Sequence, residues 1–173
     1  MGTKRALWFF VGCIIVAALF LGFVIEAQAE TMKCRSVGVQ IKVEAIPVAD
    51  VENHTMGFGI REGLAFFDNG ETANLRSQSI WDLIQGKSMK AYGYSFFTFE
   101  DGSKIITKFE QDNIADESGK LTAAKATGEI LKGTGRFEGI KGNFTFTGKT
   151  LPAPKGEAGK ATMEWIFNYT LQK

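Results

Sequence analysis

The sequence predicts an all-β protein: an eight-stranded antiparallel closed β-barrel over residues 30–173, preceded by an apolar N-terminal segment over residues 1–29. Three observations carry that prediction. Beyond residue 29, apolar residues recur with period two in eight stretches of strand length. Turn dipeptides stand between several of these stretches, among them Asn69-Gly70 and Asp101-Gly102, which supply the positive φ of a tight hairpin. No part of the same region repeats its apolar residues with a helical period. Closing the strands into a barrel removes the unpaired edges that an open sheet would expose.

The first strand is expected over Lys33–Ala45, with Val37, Val39, Ile41, Val43 and Ala45 on its buried face; Ile46-Pro47 ends it. The second runs over Thr55–Phe67, where Met56, Phe58, Ile60, Leu64 and Phe66 share one parity and Gly57, Gly59 and Arg61 the other. Asp68-Asn69-Gly70-Glu71 turns the chain into a third strand with Ala73, Leu75, Ser77, Ser79, Trp81 and Leu83 on one face. Met89–Glu100 and Lys104–Gln111 form the next hairpin about Asp101-Gly102. A two-residue turn there would set Thr98 opposite Ile105 and Phe96 opposite Thr107, sending Tyr92, Tyr94, Phe96, Ile105 and Phe109 inward and Phe97, Phe99 and Ile106 outward. A turn of another length would flip one strand. Leu121–Leu131 is the sixth strand, Asn143–Thr147 the seventh with Phe144 and Phe146 inward, and Ala161–Leu171 the last, with Met163, Trp165, Phe167, Tyr169 and Leu171 inward.

The N-terminal segment has a basic start (Lys4, Arg5), an uninterrupted apolar run over residues 6–25 and an Ala27-Gln28-Ala29 site that fits signal-peptidase cleavage before Glu30. At ~1.5 Å per residue the run is also long enough to cross a ~30 Å hydrocarbon core, so an uncleaved membrane anchor is the competing reading. The small-x-small site favours cleavage, and with it an exported protein, periplasmic or extracellular. Without residues 1–29 the acidic and basic residues are equal in number, and no basic block offers a footprint for nucleic acid. Cys34 is then the only cysteine, which excludes an intrachain disulfide and favours a buried, inert thiol.

The chemistry-bearing residues are sparse. His54 is the single histidine and has no cysteine or second histidine near it, so no zinc site and no other metal site is expected. A Ser-His-Asp triad would have to use His54, and no Gly-x-Ser-x-Gly elbow is present. Glu62 falls on the apolar parity of its strand; facing inward beside Phe58, Tyr92 and Tyr94 it would be the candidate catalytic acid or base. The alternative sets it at the barrel mouth, paired with Arg61 or Arg76. The candidate ligand-lining residues are Tyr92, Tyr94, Phe96, Phe109, Phe144, Phe146, Trp165 and Phe167, and no cofactor is expected. Phe97, Phe99 and Ile106, if outward, would form an apolar patch suited to a homo-oligomer.

Lys132–Lys149 reads KGTGRFEGIKGNFTFTGK. Gly133-Thr134-Gly135 resembles the start of a dinucleotide-binding loop, but Glu138 stands where the third glycine belongs and a strand, not a helix, follows. The pattern Gly133-x-Gly135-x-Phe137-x-Gly139-x-x-Gly142, followed by an alternating strand, is instead similar to the turn-strand signature of the allene oxide cyclase and dirigent superfamily, which exported bacterial relatives also carry. The resemblance covers Gly133–Gly148 closely and Tyr92–Gly102 and Glu129–Leu131 more loosely. It implies the same calycin-like eight-stranded barrel, frequent oligomers, and an interior that steers a reactive, mostly apolar molecule by shape. Only the glycine turn and Phe137 match position by position, so no catalytic residue comes with it. Lipocalins would carry Gly-x-Trp on their first strand, and an outer-membrane barrel would turn an apolar band outward; neither pattern is present. Three functions therefore stand: a barrel binding or steering a small apolar molecule, a non-catalytic envelope protein with a filled interior, and an isomerase- or cyclase-like enzyme using Glu62.

Overall fold

The computed structural model describes residues 28–115, 117, 121, 124–151 and 158–172. The apolar run at 6–25, Cys13 and the Pro152–Pro154 loop lie outside the described residues. Strands β1 (Ala29–Pro47), β2 (His54–Phe67), β3 (Thr72–Ile84), β4 (Ser88–Phe99), β5 (Lys104–Ile114), β6 (Ala124–Thr134), β7 (Ile140–Leu151) and β8 (Lys160–Leu171) pair in chain order and close into one barrel. All neighbours are antiparallel, and closure comes from β1 against β8, with Cys34 opposite Trp165. The expected fold class and all eight strands are therefore present.

One end of the barrel is packed solid. Phe97 is fully buried, with its ring edge-on to both Trp165 (centroids 5.2 Å apart) and Phe167 (5.4 Å). Phe67, Phe99 and Phe137 continue the stack towards the rim, at 5.0 Å and 4.8 Å between centroids. Burying each such ring contributes about 1.5–3 kcal/mol, with about 0.5–1.5 kcal/mol more for well-disposed aromatic pairs. The glycine turn Gly133–Gly142 is the stopper of this end. Its 3-10 turn, Gly135–Phe137, drives Phe137 into the core, and Ile140 is buried beside it. Arg136 lies 4.8 Å over the rings of Phe99 and Phe137 and ion-pairs with Glu71 and Asp101, tying together three neighbouring turns.

Three strands present the opposite face to the expected one. In β4, Phe97 and Phe99 point inward and Tyr92, Tyr94 and Phe96 outward; Tyr94 is 44% exposed. The cause is turn length. Phe99, not Thr98, closes the hairpin: its N–H donates to the Ser103 carbonyl (2.9 Å), Gly102 N–H donates back to the Phe99 carbonyl (3.0 Å), and Gly102 takes φ +81°. This three-residue loop, a turn followed by a left-handed glycine, shifts the register so that Phe97 opposes Ile105 and Gly93 opposes Phe109. The patch expected on Phe97, Phe99 and Ile106 thus has its two rings inside the barrel, and Ile106 alone of the three lies on the outer face.

In β1 the inward residues are Met32, Cys34, Ser36 and Gly38, while Val37 faces out. In β2 they are Gly57, Gly59, Arg61, Ala65 and Phe67, while Leu64 and Phe66 are exposed. Volume decides here. An eight-stranded barrel has just enough interior for its own side chains, and the large rings of β4, β5, β7 and β8 occupy it. Small residues on β1 and β2 fit against them, and the branched residues are left to the outer face. Glu62 follows the apolar parity of β2 and so points outward with it.

Candidate functional site

Among the described residues, the other end of the barrel is not filled. A cavity of about 230 Å³ opens there, floored by Phe109, Phe146 and Trp165, walled by Trp81, Met89, Ala91 and Met163, with Gln40, Arg61, Ser77, Ser79, Gln111 and Asn113 as its polar lining. The inward faces of β3 and β5 supply much of this lining. The β3 parity Ser77-Ser79-Trp81 was legible in the sequence; the contribution of β4, through Ala91 and Ser95, depends on the flipped register.

Polar groups at and below the floor satisfy one another. Trp165 Nε1 donates to Ser36 Oγ (2.8 Å), Ser77 and Ser95 hydroxyls share a bond of 2.8 Å, and Thr107 Oγ1 donates to the Ser95 carbonyl (3.3 Å). A buried hydroxyl or indole N–H left unpaired would cost about 1–3 kcal/mol, so these bonds hold the floor rigid. Gln111 Nε2 donates to Asn113 Oδ1 (2.6 Å) on the wall.

Glycines on β1 and β2 shape the mouth. A Cβ on Gly59 would lie 2.4 Å from Gln40 Nε2, and one on Gly38 would lie 2.9 Å from Cγ and Cδ of Arg61. The absent side chains let Gln40 and Arg61 lie flat across the neighbouring strand instead of projecting along the axis. Gln40 donates to the Lys42 carbonyl (3.0 Å) and accepts from Arg61 Nη2 (3.2 Å). Burial alone pushes the Arg61 guanidinium below its ordinary pKa.

Of the expected ligand-lining residues, Phe109, Phe146 and Trp165 line the cavity, whereas Phe144 and Phe167 are packed in the core. Tyr92, Tyr94 and Phe96 lie on the outer face. Glu62 is not inside: it ion-pairs with Arg76 across the outer faces of β2 and β3, its side chain 44% exposed. The Arg76 partner is one that the alternative reading named, but the place is the outer wall of the barrel and not its mouth. His54 is half-buried, with Nε2 2.8 Å from Asp82 Oδ1. Among the described residues, no three His, Cys, Asp or Glu side chains come together as a metal site.

Arg61 is the residue that the sequence reading passed over. Its parity, shared with Gly57 and Gly59, has the look of a polar outer face. The usable signal was the two glycines on that parity. In a strand, glycine marks close approach by a neighbour, and the neighbours here are Trp81 and Gln40.

No protein-family model matches this chain, and no curated protein does. Among solved structures, the chain is similar to the pterocarpan synthase dirigent protein GePTS1 over 88% of its own length and 96% of that chain, at 14% identity and a TM-score of 0.46. It is similar to the pterocarpan synthase dirigent protein PsPTS1 over 83% and 97%, at 14% identity and a TM-score of 0.45.

Proposed function

We propose that this chain is an exported barrel that takes a small molecule into the unfilled end of its interior and binds or steers it by shape. The leader-like residues 1–29 support the export half of the reading. The binding half rests on one observation: among the described residues the interior is packed at one end and open at the other, and the open end combines an aromatic floor with polar wall groups. Ligand sites have this composition, mostly apolar walls with a few placed polar groups. At about 230 Å³ the cavity is smaller than the roughly 300–1,000 Å³ typical of drug-sized sites. The occupant is therefore a one- or two-ring molecule, or the end of a longer one. The mixed lining favours an amphipathic ligand over a purely apolar one. Among the described lining residues there is no acid–base pair, and Glu62 lies on the outer face, so the reading is of a binder and not of an enzyme acting through Glu62.

Trp81 and Trp165 both line the cavity and report on it. Titration with a neutral naphthalene probe, 2-naphthalenemethanol, should change their fluorescence saturably. Ala91→Phe, which adds a ring to the wall, should abolish that change while the protein still unfolds cooperatively. A wild-type protein showing no saturable response, or an Ala91→Phe variant binding as well as wild type, would count against the cavity.

A further inference from the structure

We propose that Arg61 makes this cavity a receptor for an anion, and that the ligand is an amphipathic carboxylate whose apolar body rests on Phe109, Phe146 and Trp165. The proposal deepens the binding reading above and rests on it.

Three observations lead to it. First, the guanidinium is unpaired by charge. Arg76 and Arg136 lie at the surface and each has a carboxylate partner. Arg61 is half-buried and lines the cavity, and among the described residues no carboxylate lies within ion-pair distance of it. Its single protein hydrogen bond goes to a neutral amide, Gln40 Oε1. Second, its Nε is buried with no hydrogen-bond partner. A buried donor on a charged group is costly to leave unmade and calls for an explanation, of which a bound ion is one. Third, the stem is held in place: it packs against the Cα of Gly38, and Gln40 braces the far end of the fork. A guanidinium in a fixed pose presents parallel N–H groups, the geometry that recognises a carboxylate through two bonds at once. Burial strengthens the attraction, because the same low-dielectric surroundings that push the Arg61 pKa down raise the value of an incoming negative charge.

The lining then divides by role. Arg61 and Gln40 take the charged head, Ser77 and Ser79 offer hydroxyls along the wall, and the aromatic floor takes the body. A phosphate monoester would satisfy the same fork. The carboxylate is favoured because Arg61 is the one cation among the described lining residues, and a second charge on the ligand would go unmatched by them.

The test uses an isosteric pair, 2-naphthoate and 2-naphthalenemethanol, with binding read by calorimetry and by Trp81 and Trp165 fluorescence. Wild type is expected to prefer the acid by about tenfold or more, the usual weight of hydrogen bonds to a charged group. Arg61→Met should remove that preference and leave the alcohol's affinity in place; Arg61→Lys should keep part of it. Phenyl phosphate should bind more weakly than benzoate. Equal wild-type affinity for acid and alcohol would overturn the anion proposal while leaving the cavity intact, as would an Arg61→Met variant with the full preference. Binding of neither probe would overturn both. The wild-type comparison stands by itself if Arg61→Met fails to fold.

Discussion

Gly102→Ala isolates the backbone term that sets the β4–β5 register. Gly102 has φ +81°, and a Cβ built on it meets no atom within 4 Å. Alanine therefore brings no clash, and its whole cost is the left-handed backbone, about 1–2 kcal/mol. For a domain of this size that lowers Tm by about 2–8 °C. Asparagine tolerates the conformation better and should cost distinctly less. Gly70 is the internal control: φ +87°, again with open space around it, so Gly70→Ala should fall in the same range. The two turns share Arg136 as an ion-pair partner, so any departure from additivity in the double variant measures the coupling through that side chain. Urea unfolding followed by tryptophan fluorescence measures all four variants, and m should stay constant. The reasoning fails if Gly102→Ala is neutral, or if asparagine costs as much as alanine, since neither result is compatible with a penalty confined to φ.

Two more outcomes follow from the same structure. Phe97→Ala should destabilise by about 3–5 kcal/mol, because it empties the centre of the packed end, whereas Tyr94→Ala on the outer face should stay within about 1 kcal/mol; equilibrium unfolding of the pair decides which face of β4 is inside. Burial, with a smaller push from Asp68, raises the Cys34 thiol to about 12, so the folded protein keeps a proton that the unfolded chain loses near pH 9.0. Stability from this group is complete below that value and declines as pH rises towards about 12. Tyr169, raised to about 12 by burial and its hydrogen bond to Glu30, acts with the same sign above pH 10. Urea midpoints at pH 8 and pH 10.5 should fall with pH, and less steeply in Cys34→Ala; an unchanged slope would contradict the buried thiol.

The strands and corners were readable because their causes are local: alternation within a few residues, and turn dipeptides such as Asn69-Gly70. Which face looks inward was not, because it depends on quantities outside the window. For β4 the missing quantity was the length of one loop, Glu100-Asp101-Gly102. For β1 and β2 it was competition for volume: Val37 and Phe66 are more apolar than Ser36 and Ala65, yet the smaller residues are the ones that fit beside Trp165 and Phe67. The glycine turn's plug residues Phe137 and Ile140 adjoin it in sequence and are buried beside it, so that stopper was legible from a short window. The site was half legible. Phe109, Phe146 and Trp165 sit on strands whose parity was right, whereas Arg61 needed the tertiary fact that Gly38 and Gly59 leave room for their neighbours.

Every seam of this cylinder but one joins strands adjacent along the chain, and the exception, β1 with β8, brings Ala29 beside Thr170. Seven seams can zip as local ribbons, while the eighth must wait for a loop spanning nearly the whole domain to close. A circular permutant that splices β8 to β1 and is cut at Gly86 would keep the same wall and exchange one slow seam for another. The order of assembly is therefore a property of where the polypeptide is cut, and the finished vessel is not.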